Sequence, residues 1–188
     1  MKIKCLHGSP YDFDKFDISK FRLESLANDT KEFGIFCLVN QNQNPLIFNK
    51  AKYYALNRNK LNSGFIYNVE LEINDERIID VSDNVKMSLD DWLKITCDIY
   101  KLTEHSKEVF EKQFVDTWTK YDNRFLMYIL NSYIIRISDS KTCSDYLKNH
   151  GVDGTCMKPI INNFGNTIVI SNPDCVKIID KIKVEKSS

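Results

Sequence analysis

The residues best placed to do chemistry come at the start of the chain, where Lys2-Ile3-Lys4-Cys5-Leu6 runs directly into His7-Gly8-Ser9-Pro10. Ile3 and Cys5 alternate with two lysines, which predicts a strand with one apolar and one solvated face. Gly8 opens backbone angles closed to other residues and Pro10 fixes its own φ, so the strand stops and His7 is presented at its mouth. An imidazole there can donate or accept hydrogen bonds near neutral pH, and the adjoining glycine lets a flat ligand reach the main chain without meeting a Cβ. The same residues also suit an ordinary surface turn. Glu70 and Glu72 are the other tempting pair. They lie in Gly64 to Ile73, whose alternation puts Phe65, Tyr67, Val69, Leu71 and Ile73 on one face and the two glutamates on the other, so they read as a solvated strand face. Six cysteines (5, 37, 97, 143, 156 and 175) show no metal-ligand or CxxC spacing. No metal is expected, and neither Cys5 nor Cys37 has a spacing to His7 or His150 that supports a cysteine hydrolase.

Several elements must position these groups. Tyr11 to Asp17 places Phe13 and Phe16 so that both can turn inward under the histidine while the acids stay wet. Phe33 to Val39 is short, β-favouring and nearly all apolar, a strand buried on both faces or the floor of a cleft. Asn40 to Pro45 breaks it, and Phe48 to Asn57 reads as a short helix with Ala51, Tyr54 and Ala55 on one side. Ile78 to Val81 is a further short strand. From Ser88 to His150 the period becomes helical: Ser88 and Asp91 resemble a capping box, Phe110, Phe114 and Trp118 recur at helical spacing, and Phe125 to Ile137 continues the pattern. A last helix, Lys141 to Asn149, ends at His150-Gly151, with Gly151 as the residue after its C-cap. Strands follow at Thr155 to Ile160, Thr167 to Ile170 and Cys175 to Ile182, separated by Asn162-Asn163 and Asn172-Pro173 turns.

Composition narrows the partners. A chain of 188 residues suits one domain with a helical insertion at about 86–150. Lys+Arg 26 against Asp+Glu 26 gives no net field to draw nucleic acid or an anionic membrane. No window approaches the apolar length of a membrane span. The basic stretch Lys177 to Lys186 also carries Asp180 and Glu185 and reads as a solvated sheet edge. The N-terminus shows no signal-peptide pattern, which predicts reduced thiols and a cytoplasmic setting, or delivery into a host cell by a specialised route.

Taken in order, Leu6-His7-Gly8-Ser9, Phe13-Asp14-Lys15-Phe16, Gly34-Ile35-Phe36, Ala51-Lys52-Tyr53-Tyr54-Ala55, Gly64 to Ile73, Gly151-Val152-Asp153-Gly154 and Asn172-Pro173-Asp174-Cys175-Val176-Lys177 resemble the ADP-ribosyltransferase superfamily, in its diphtheria-toxin and poly-ADP-ribose polymerase branch. The closing segment is similar to that of small phage- and mobile-element-encoded members, including anti-CRISPR types. The resemblance implies an α+β fold of split antiparallel sheets around a NAD cleft. It also implies a NAD-dependent glycosyltransferase performing mono-ADP-ribosylation of a host or target macromolecule, protein rather than nucleic acid, as effector, toxin or counter-defence factor. By the same resemblance, Gly8 clamps the nicotinamide carboxamide through its main chain, His7 positions the nicotinamide ribose hydroxyl or the adenosine side, Phe36 and Tyr54 sandwich the nicotinamide ring, and Ser9 and Gly34 complete the cofactor site. The family carries a glutamate near the start of its penultimate strand. Here Asn162 to Ile170 has no carboxylate, and Thr167 falls at the matching position. Three outcomes stay open: catalysis with Thr167 or Asn163 orienting the hydroxyl, an acid from elsewhere such as Asp153, or a degenerate module that binds NAD, ADP-ribose or a protein without turnover. Asp153 also fits a simple turn residue in Gly-x-Asp-Gly.

Overall fold

A computed structural model describes residues 1–20, 34–57, 62–80, 140–156 and 166–186, with single helical positions at 94 and 112. Apart from those two positions, the helical pattern expected from Ser88 to 139 lies outside these residues, as do the Asn162-Asn163 turn and Asn163 itself. The described part is α+β: strands β1 (Lys2–Ser9) and β2 (Ile35–Val39), helix α1 (Pro45–Asn57), strands β3 (Ser63–Glu72) and β4 (Ile78–Asp80), helix α2 (Ser140–Asn149), then β5 (Gly154–Cys156), β6 (Thr167–Ile170) and β7 (Val176–Glu185).

The strands make one seven-stranded sheet in the order β4-β5-β6-β2-β1-β3-β7. Two expectations are corrected by this. The sheet is continuous rather than two separate ones, and β4 runs parallel to β5 while the other neighbours are antiparallel. Yet the two halves are joined narrowly. β1 pairs with β3 along all of Lys2 to Ser9, but with β2 only at Cys5↔Val39 and Leu6↔Leu38, extended by the Asn40 N–H donating to the Lys4 C=O at 2.9 Å.

Alternation sorts the side chains as the β3 pattern predicts. Ile3, Cys5, Ile35, Cys37, Val39, Tyr67, Val69, Leu71, Ile168 and Ile170 form the larger core on one face. Leu6, Leu38, Ile66 and Val184 meet Ile47, Ala51, Ala55 and Leu56 of α1 on the other. Glu72 is exposed, and Glu70 is paired with Lys2 at 3.0 Å. The helix comes down unusually close because the residues facing it are glycines. A Cβ on Gly8 would lie 2.1 Å from the Ala51 carbonyl oxygen, and one on Gly64 2.3 Å from that of Ala55.

Several boundaries shift for local reasons. Pro45 begins α1 rather than ending the preceding turn: a helix's first residue needs no N–H partner, and Asn44 caps it by accepting the Leu46 N–H at 2.9 Å. β2 begins at Ile35, one residue after Gly34, whose φ of 146° marks the junction. β5 begins one residue early, at Gly154, and is described only to Cys156. Cys175 belongs to a 3-10 turn capped by Asn172, and β7 then runs on to Glu185 as an edge strand with its lysines in solvent. The end of α2 matches expectation. Gly151 has φ 79°, the Gly151 N–H reaches the Lys148 C=O at 3.1 Å, and the Val152 N–H reaches the Leu147 C=O at 2.8 Å, which is a Schellman cap closed by the buried pair Leu147 and Val152.

Candidate functional site

The site is built where β1 and β2 part. Main-chain groups of a strand point alternately to its two neighbours. Because the Lys4 carbonyl faces β2, so do the main-chain groups of Leu6 and Gly8, while those of Cys5 and His7 face β3. Pairing with β2 stops at Leu6. The N–H and C=O of Gly8 are therefore turned toward β2 one step beyond the last pair. On the opposite bank, the same alternation turns the Phe36 carbonyl toward β1. It accepts a hydrogen bond from His7 Nδ1–H at 2.9 Å. A carbonyl can only accept, so Nδ1 carries the proton, and Nε2 is the acceptor nitrogen of the neutral ring.

His7 is held from the other side by aromatic rings, as the inward reading of Phe13 and Phe16 predicts. Phe16 stands edge-on to the imidazole at 5.1 Å, and Phe13 and Tyr67 lie at 6.3 and 6.1 Å. Tyr67 is fully buried, and its hydroxyl accepts the Phe13 N–H at 2.9 Å and donates to the Tyr11 C=O at 2.8 Å. Burial is the main cause pushing its phenol above the ordinary value. Lys181 of β7 reaches over the same loop to Asp12 at 2.6 Å and Asp14 at 2.8 Å. The sequence reading assigned no role to Tyr67 or Lys181. Tyr67 could have been found as the polar-tipped member of an otherwise apolar strand face, since a buried phenol needs partners.

The other candidates divide into two groups. Phe36 is half-buried, and alternation places it on the α1 face with Leu38 and Thr167, which are opposite each other in β2 and β6. Tyr54 leaves α1 between Ala51 and Ala55, the two residues seated on Gly8, and is 38% exposed with its ring against Tyr53. Gly8, Phe36, Tyr54 and Thr167 thus belong to one face of the sheet, whereas His7 stands in the gap with its ring toward the other. From the strand spacings, the Thr167 and Gly8 Cα atoms are roughly 12 Å apart.

Three candidates serve the framework. Ser9 is buried, and its hydroxyl oxygen accepts the Tyr11 N–H at 3.1 Å. Gly34 lies against β6, where a Cβ would meet the Ile170 carbonyl oxygen at 2.5 Å. Asp153 is buried, its carboxylate taking Arg77 Nε at 2.6 Å, Arg77 Nη2 at 3.1 Å and Asn172 Nδ2 at 2.8 Å. Burial pushes this carboxyl up, but the hydrogen bonds from Arg77 and Asn172 and the charges of Arg77 and Lys148 outweigh it and hold it below the usual range. Asp153 also precedes β5, three strands from β1 and so about 14 Å away. Its carboxylate thus serves two sequence-distant side chains, rather than the main chain of its own Gly-x-Asp-Gly segment.

Neither Cys5 nor Cys37 is set up as a thiolate. Burial pushes the Cys5 thiol up to about 12 and that of Cys37 well above its ordinary value, the latter helped by Cys5. Among the described residues no three His, Cys, Asp or Glu side chains gather as a metal site, and no helix is long and apolar enough to cross a membrane. Comparison of the chain with protein-family models, curated proteins and solved structures finds no match.

Proposed function

We propose that this protein is a NAD-dependent mono-ADP-ribosyltransferase that modifies a macromolecular acceptor, protein rather than nucleic acid. The observation that carries the reading is the gap between β1 and β2. It offers one adjacent donor and acceptor, the Gly8 main chain, beyond the last strand pair, with His7 fixed beside it in a single tautomer and with Ala51 and Ala55 of α1, the helix that carries Tyr54, seated on Gly8. A carboxamide needs that donor and acceptor pair, and the nicotinamide ring needs a flat π-face such as Phe36 or Tyr54 provides. In the reaction the bond between ribose C1′ and the nicotinamide nitrogen breaks and nicotinamide leaves with the electron pair. An acceptor nucleophile then bonds to C1′ and gives its proton to solvent. His7 acts by positioning a ribose hydroxyl through Nε2, rather than as a proton shuttle.

A second reading has its own observation. Residues 154–173 contain no Asp or Glu, and of the two acids that flank them Asp153 is committed to Arg77 and Asn172 and Asp174 is paired with Lys148. The electrostatic support that a developing ribose cation needs must then come from Thr167 or Asn163, or turnover is absent and the chain is a binding module. One experiment separates the two. The protein is incubated with NAD labelled in the adenylate half and with cell lysate, and nicotinamide release is followed alongside label on acceptors. The transferase reading expects both, with His7→Ala abolishing them and Tyr54→Ala weakening NAD binding. NAD binding without release or label leaves only the module, and transfer that survives His7→Ala overturns the site.

A further inference from the structure

We propose that Tyr67 is the positioning residue for His7, latching the aromatic loop that fixes the imidazole's rotamer and tautomer. The two residues are direct partners across β1 and β3, and Tyr67 is the fully buried member of the pair. Its ring stacks on Phe13 at 4.2 Å and 13°, and Phe13 in turn holds Phe16 at 5.0 Å, the ring that stands edge-on to His7. Both hydrogen bonds of the hydroxyl go to main chain, at Phe13 and Tyr11 on successive sides of Asp12. Phe13 and Phe16 are thereby pinned at the backbone as well as by packing. That matters for His7 because the Phe36 carbonyl, which takes its Nδ1–H, is on the far bank of the gap. Turning the imidazole over about χ2 would bring Nε2 in place of Nδ1 to that carbonyl and so favour the other tautomer, and the ring wall on the near bank opposes that rotation. The phenol thus acts on any ligand through His7 without touching it. The functional consequence rests on the nucleotide reading above; the positioning itself does not.

The experiment uses the full chain with 15N-labelled histidine, the three histidines being assigned through His7→Gln. In the wild type, His7 should give the nitrogen shifts of one Nδ1-protonated tautomer once neutral. Tyr67→Phe keeps the ring and removes only the oxygen; it should give a tautomer mixture and an NAD dissociation constant raised about tenfold by calorimetry. Lys181→Met, which frees only the loop's outer ion pairs, should leave both at wild-type values. A pure Nδ1–H tautomer in Tyr67→Phe overturns the assignment, as does equal mixing in Lys181→Met. Should Tyr67→Phe fail to fold, Phe16→Leu spares the hydroxyl and removes the edge contact, and it must show the same mixing or the assignment falls. A wild type that binds no NAD overturns the nucleotide reading instead, while the tautomer comparison still decides the role of Tyr67.

Discussion

Gly8 answers to two neighbours at once. The sequence suggests a glycine there so that a ligand can reach the main chain, but the direction a Cβ would take is already filled by the α1 backbone. The groups that the proposed ligand would meet are the N–H and C=O, which lie in the plane of the sheet. Gly8→Ala should therefore destabilise the fold in the absence of any ligand, by about 2 to 3 kcal/mol, because backbone must move to admit the methyl group. Urea unfolding would measure this, and an unchanged midpoint would show that α1 rides higher than described. Asp153 makes the complementary case. Its residue type and turn motif are legible in the sequence, but its partner Arg77 is 76 positions away, so nothing local reveals that the carboxylate is already spoken for. Asp153→Asn should cost about 1 to 3 kcal/mol, less than a wholly buried pair because the Arg77 side chain is 34% exposed. The folded-state carboxyl titrates below its unfolded value of about 3.9, so its contribution is present above that pH and lost as pH falls through the folded-state value. The gap between wild type and variant in a stability profile should accordingly close below about pH 4, and a constant gap would mean the charge is not what matters.

At the scale of elements, the sequence is most readable where a pattern is local. The ten-residue alternation of β3 and the glycine that ends α2 need no distant partner to be recognised. Pro45 misleads for an equally local reason: the same fixed φ that breaks a helix interior suits its first turn, and only the Asn44 cap distinguishes the two. Gly151 offers a clean test of the cap that was readable. An added Cβ would meet nothing nearer than Arg77 at 4.0 Å, so Gly151→Ala isolates the cost of φ 79° without a packing clash. A loss of about 1 kcal/mol in thermal or chemical unfolding is expected, with the NAD affinity of the proposed site unchanged. A loss several times larger would mean that the cap also holds the Arg77 corner.

For the molecule as a whole, strand existence and the separation of apolar faces follow from period and composition, whereas strand order does not. That β4 lies at the far edge beside β5, and that β1 binds β3 fully but β2 barely, depends on pairings distant in sequence, from Leu6 with Leu38 to Lys2 with Glu72 and Ile78 with Gly154. The short junction between β1 and β2 has a mechanical meaning. A sheet transmits load through its rungs, and here four strands on one side hang from three on the other by the few rungs between Lys4 and Leu6. Side-chain packing carries the rest of the load, because both cores bridge the junction, and a ligand that binds the Gly8 main chain and touches the β2 bank would add the next rung. Amide exchange should then slow on both banks together, at Gly8 and along Ile35 to Cys37, when NAD is added. Slowing confined to one bank would mean the ligand sits on the sheet rather than across the β1–β2 junction.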